Sequence, residues 1–134
     1  MESWPALVFL ETHVRHSPAS VTELSRVELL AGLPGETLTR LGERMERRVL
    51  APGERVLEQG AEGERFYVVL AGLLRATQEE LGDRGLLRPG EYFGEVALLM
   101  DTPRTATVAA VTPATIASCD RETFDELVRP LFTA

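Results

Sequence analysis

Glu95 and Arg104 bring opposite charges into the run FGEVALLMDTPRTATV, residues 93–108, most of which is apolar or threonine. Gly94 and Glu95 stand directly before an apolar stretch, so a helical turn starting there aims free backbone N–H groups outward and attracts an anion. Arg104 follows the turn signal DTP. At the mouth of the next strand its planar fork can hold a phosphate oxygen through paired N–H bonds. An ionised Glu95 only accepts hydrogen bonds and repels phosphate, so its natural partners are hydroxyl donors. A ligand with a phosphate beside a sugar hydroxyl satisfies both side chains, and a phosphorylated ribose is the commonest molecule of that kind.

The elements that must position these groups change character near Arg48. Before it, Leu24, Val27 and Leu30 recur every third residue, and Leu38, Leu41 and Met45 follow the turn GLPGE. Both segments are expected to be amphipathic helices, with (i, i+4) pairs Glu36–Arg40 and Glu43–Arg47 on the solvent face. After it, short β-type runs (RRVLA, RVLEQ, RFYVVLA, LLRATQ, GLLR, TATVAAV and TIASC) are separated by glycine or proline. Eight of the 11 glycines lie between Gly53 and Gly94, as tight turns between strands require. The pattern predicts a mainly β fold, an antiparallel sandwich or jelly-roll barrel. Asp120 is placed as the N-cap of a short closing helix whose face is Phe124, Leu127, Val128 and Leu131.

Composition limits the functions this scaffold can serve. The 134 residues amount to about one domain. Acids outnumber bases by 21 to 14, and a net charge of −7 speaks against direct nucleic-acid binding and against anionic lipid. The run WPALVFL, residues 4–10, is far short of the roughly 20 residues that cross a bilayer. One cysteine, Cys119, allows no internal disulfide and reads as a small buried residue, which together with the lack of a secretory signal points to a cytoplasmic chain. All 14 basic residues are arginine, which reads as the bias of a GC-rich bacterial genome. Residues 1–20 read as a leader or linker and residues 21–134 as the ordered domain. His13 and His16 sit three apart in the leader without a third ligand, so no metal site is expected. With no histidine after residue 20, a cupin-type metal centre or a histidine-activated nucleophile is absent, and the chain does not read as an enzyme.

FGEVALLMDTPRTATV closely resembles the phosphate-binding cassette of cyclic nucleotide-binding domains, and the resemblance extends from about Leu24 to Leu131. LPGETLTRLGERM resembles the helix before the barrel, PGERVLEQGAEGERFYVVLAG the early strands, and CDRETFDEL the last strand and the helix after it. The resemblance implies an eight-stranded antiparallel jelly roll, a double-stranded β-helix, with flanking N-terminal helices and a short C-terminal helix. It implies a regulatory module of bacterial type that binds cyclic AMP, ahead of cyclic GMP, and passes the signal to an attached or partner effector. By position, Glu95 takes the ribose 2′-hydroxyl and Arg104 the cyclic phosphate. Phe93, Gly94, Val96 and Ala97 belong to the turn around phosphate and ribose, and Thr105 and Ala106 follow the arginine, with Thr105 able to bond a guanine amino group. Ala76 marks the strand position facing the base.

Two departures from the family pattern carry expectations. Ala109 replaces a positive residue found after the cassette in many members, so support for the phosphate from that position is expected to be lost. Signalling members also continue into a second C-terminal helix that covers the base, whereas only Phe132 to Ala134 follow the Pro130–Leu131 step. An open base pocket and an output through residues 21–48 are the corresponding expectations. The alternative reading is a fold of this type that has lost its ligand and serves as a docking module.

Overall fold

The computed structural model describes residues 18–133. The Trp4–Leu10 run and the His13/His16 pair lie outside them. Eight strands form two four-stranded antiparallel sheets, in the order β1-β8-β3-β6 and β2-β7-β4-β5. The strands are β1 (Glu46–Leu50), β2 (Arg55–Leu57), β3 (Arg65–Ala71), β4 (Leu74–Gln78), β5 (Gly82–Leu87), β6 (Tyr92–Phe93), β7 (Thr107–Ala110) and β8 (Ala114–Asp120). This is the expected jelly roll. The strand absent from the sequence reading is β6, whose two residues are too few to show a period.

β3 and β8, the inner strands of the first sheet, are buried on both faces, which suits their mostly apolar sequence, whereas β1 at its edge is largely exposed. Phe66 and Val68 of β3 and Ala117 and Cys119 of β8 pack against the helices. Val69 of β3 and Ala114 and Ile116 of β8 turn the other way, toward Leu74, Val108 and Ala110 of the second sheet. Alternation along each strand thus divides the interior into a helical core and an inter-sheet core. Cys119 is fully buried, and desolvation pushes its thiol up to about 12.

Leu24, Val27 and Leu30 are buried as expected, but not on a continuous helix. The helix α1 spans only Val21–Ser25, capped by Ser20, whose side chain and that of Glu23 exchange bonds with each other's backbone N–H. Beyond it the chain repeats i→i+3 bonds: Val27 to Leu24, Leu30 to Val27 and Leu33 to Leu30. An apolar residue at every third position fits this tighter winding better than a 3.6-residue turn. The next helix, α2 (Gly35–Glu43), is regular and buries Leu38 and Leu41.

The predicted (i, i+4) ion pairs give way to longer connections. Arg40 and Arg44 both reach Glu126 at the far end of the chain, and Arg47, which lies in β1 rather than in a helix, pairs with Glu23 of α1. The closing helix is also broken into parts. Asp120 does cap it, accepting from the Thr123 N–H at 2.9 Å. After α4 (Arg121–Thr123) the winding widens to a π segment, Phe124–Val128, before α5 (Pro130–Thr133). Pro130 has no N–H for the Glu126 carbonyl and its ring crowds that group, and the Arg129 N–H reaches back to Phe124 at 2.7 Å instead.

Candidate functional site

The cassette begins at a backbone position that favours glycine. Gly94 takes φ +90° between β6 and α3 (Glu95–Met100), and a β-carbon there would lie 3.0 Å from the Tyr67 ring and 3.1 Å from the Arg65 carbonyl. Asp101, at φ 55°, ends the short helix, and the Thr102 N–H bonds the Ala97 carbonyl at 3.2 Å. The chain then meets the β2–β3 loop. The Arg104 N–H donates to the Ala61 carbonyl at 2.7 Å, and the Arg104 carbonyl accepts from Gly60 at 2.8 Å. The backbone of Arg104 is therefore fixed from both sides.

Its side chain turns inward and is 5% exposed. Nη1 donates to the Gly94 carbonyl at 2.9 Å and Nη2 to the Arg65 carbonyl at 3.0 Å, with the guanidinium carbon 5.8 Å from the centre of the Tyr67 ring. Gly63 makes room for it, since a β-carbon there would overlap the guanidinium. Two carbonyls thus orient the fork and leave three of its five N–H donors. None of the ion pairs among the described residues includes Arg104. Burial pulls its pKa below the ordinary arginine value, the direction expected of a desolvated cation.

Phe93, Gly94, Glu95, Val96, Ala97, Arg104, Thr105 and Ala106 all line one cleft of about 190 Å³, together with Ala76. Burial raises the Glu95 pKa, while its own backbone N–H and the charge of Arg104 pull the other way. The cleft therefore holds a buried, unpaired cation beside a half-buried carboxylate, with an apolar wall opposite. That wall contains residues the sequence reading missed: Leu57, Leu87, Tyr92 and Val108. Val108 was within reach, because Ala106, Val108 and Ala110 alternate along one strand. Leu57 and Leu87 come from strands distant in sequence, and only the closure of the sheet brings them to the site.

Both departures look different in three dimensions. Ala109 pairs with Arg55 on one side and Arg75 on the other, and lies on the face of β7 opposite the inward Val108 and Ala110. A charge at that position would point away from the cleft, so its absence takes nothing from the cleft lining. Beside the cleft, Phe132 of α5 meets the Tyr92 ring edge-on at 5.7 Å between centroids. The closing helix therefore touches the cleft wall.

Comparison with known proteins agrees with this geometry. Residues 47–130 match the family model described as cyclic nucleotide-binding domain. A cAMP-dependent protein kinase regulatory subunit of Yarrowia lipolytica is 37% identical over 109 residues, covering 81% of this chain and 29% of the relative. A cGMP-dependent protein kinase of Caenorhabditis briggsae is 33% identical over 125 residues, 89% of this chain and 17% of the relative. The chain thus spans less than a third of either protein. The regulatory domain of Toxoplasma gondii PKA, solved with cAMP, superimposes with a TM-score of 0.79 at 26% identity, over 83% of this chain and 44% of that one. The regulatory subunit of a cAMP-independent protein kinase A from Trypanosoma brucei gives 0.80 at 23%, over 84% of this chain and 42% of that one, and shows likeness of fold alone. These relatives are eukaryotic, so neither the expected bacterial type of the module nor the all-arginine composition as a bacterial signature finds support. Sequence match, sheet order and the turn around Gly94 converge, and the chain belongs to the cyclic nucleotide-binding domain family.

Proposed function

We propose that this domain, residues 21–134, is a cytoplasmic, non-catalytic regulatory module that binds a cyclic nucleotide, cyclic AMP ahead of cyclic GMP, in the cleft between α3 and the second sheet. The observation that carries the reading is Arg104: a buried guanidinium with no carboxylate partner is costly unless an anion completes it. The cyclic phosphate is that anion. Phosphate lies against Arg104 and the turn of Gly94, Val96 and Ala97, while the ribose 2′-hydroxyl donates to Glu95. The base rests on Leu57, Ala76, Leu87 and Val108, with Ala106 beside them and Phe93 behind the turn. The preference for cyclic AMP follows the Yarrowia relative, named as cAMP-dependent, and the cAMP-bound Toxoplasma domain.

Binding works by population shift, since a ligand favours whichever state closes around it. The contacts that would carry the shift outward are present. The Leu98 carbonyl of α3 accepts from Arg129 at 3.0 Å, and the Leu98 side chain shares the helical core with Phe124 and with Leu24 of α1. The effector receiving the signal is an attached domain or a partner protein. Parallel calorimetric titration with cyclic AMP and cyclic GMP tests the reading. Both should bind, with less than about tenfold between them because the wall offers mainly apolar contact. Binding of neither would favour the docking module.

A further inference from the structure

β4 ends beside the cassette, and the side chain that makes the connection is Gln78. Along this strand Leu74, Ala76 and Gln78 share one face: Leu74 is buried, Ala76 lines the cleft, and Gln78, partly exposed, ends the strand. Its Nε2 donates to the carbonyl of Thr105 at 2.7 Å, across 27 residues of sequence. A second side-chain link secures the same segment. The Gln59 N–H donates to Thr107 Oγ1 at 3.0 Å, and Gln59 Oε1 accepts from the Glu79 N–H at 2.9 Å. Besides the ladder pair of Thr77 with Thr107, the end of β4 and Glu79 just beyond it therefore hold residues 105–107 through two side-chain links, directly from Gln78 and indirectly through Gln59.

Thr105 is the residue this clasp positions at the site. It is exposed and lines the cleft. Once Arg104 and Glu95 are assigned to phosphate and ribose, Thr105 and Tyr92 are the cleft-lining side chains left with a polar atom. The backbone of Arg104 is tied separately, to Ala61 and Gly60. Releasing Gln78 should therefore move Thr105 without moving the phosphate anchor beside it.

We propose that Gln78 is a positioning residue for base discrimination: its bond to the Thr105 carbonyl sets the backbone from which the Thr105 hydroxyl meets an exocyclic amino group of guanine. The inference rests on the cyclic nucleotide reading. It adds that selectivity at this site is controlled from β4, outside the cassette.

Cyclic AMP and cyclic GMP titrations of wild type, Gln78→Ala, Gln78→Glu, Thr105→Val and the Gln78→Ala/Thr105→Val pair test it. Gln78→Glu keeps the size of the side chain but presents only acceptors to the carbonyl, so it should behave like Gln78→Ala. Both should weaken cyclic GMP about three- to tenfold and cyclic AMP less than about twofold, the scale of one neutral hydrogen bond. In the Thr105→Val background, removing Gln78 should leave the ratio of the two affinities unchanged. Equal loss for both ligands, or a full effect of Gln78→Ala without the Thr105 hydroxyl, would overturn the role of Gln78 while leaving the functional reading intact. Failure of wild type to bind either nucleotide would overturn that reading and this one together.

Discussion

The helical shell and the cleft use arginine in opposite ways. In the shell, Arg40 and Arg44 share Glu126, Arg47 takes Glu23, Arg129 takes Asp125, and Arg121 takes Glu64. These pairs are partly or largely solvated, where water screens the attraction and an ion pair adds little to stability. Arg104 is buried, and its protein partners are two carbonyls that orient it without neutralising it. Charges that join elements are paired within the chain, whereas the charge inside the cleft has no carboxylate partner among the described residues.

Removing Arg104 should break the contrast most severely. Arg104→Ala is expected to weaken cyclic AMP and cyclic GMP alike by at least about tenfold, because a charge-assisted hydrogen bond contributes roughly 1.5–3 kcal/mol. Arg104→Lys should recover only part of the loss, since it restores the charge but not the planar fork. Titration calorimetry reads both variants, and circular dichroism confirms that they are folded.

Glu95→Gln comes next and separates binding from stability. It removes a negative charge close to a negative ligand, yet affinity should fall several-fold because an ionised acceptor holds a ribose hydroxyl more strongly than an amide does. The effect on the free protein has the opposite sign. Burial raises the Glu95 pKa in the folded state, so its favourable contribution is fully present below the unfolded value and is lost as pH rises through the folded value. At neutral pH the variant should therefore melt at a higher temperature than wild type, and on acidification that advantage should vanish. Cyclic AMP affinity should weaken on the same acidification in wild type and stay level in Glu95→Gln.

How much of this was legible in the sequence depended on whether the information was local. The cleft residues of the cassette could be read because they lie within one run, where a glycine at positive φ, a short helix and an arginine after a turn all leave local marks. Seven of the eight strands were likewise visible as short β-type runs set off by glycine or proline. Ion-pair partners were not legible, because Arg40 has Glu36 four residues away and still reaches Glu126, 86 residues on. The apolar wall also depends on contacts between distant strands. The three-residue spacing of Leu24, Val27 and Leu30 correctly marked burial but misled about winding, since a period of three fits repeated i→i+3 turns as well as the edge of a helix.

The smallest effect belongs to the shell. Glu126→Gln weakens two exposed pairs at once, with Arg44 and with Arg40, and removes the carboxyl group whose pKa those arginines lower. Nucleotide affinity should stay unchanged and the thermal unfolding midpoint should move little. A loss of binding comparable to that of Arg104→Ala would mean that shell and cleft are not separable.

The central claim, that Arg104 is held open for a phosphate, is tested most directly by comparing cyclic AMP with adenosine in wild type and in Arg104→Ala. Adenosine keeps the base and the ribose hydroxyl and lacks the anion. Wild type should bind cyclic AMP more than about tenfold more tightly than adenosine, a difference of at least 1.4 kcal/mol. In Arg104→Ala most of that difference should disappear. Equal affinity for the two ligands in wild type, or a preference that survives in the variant, would contradict the account.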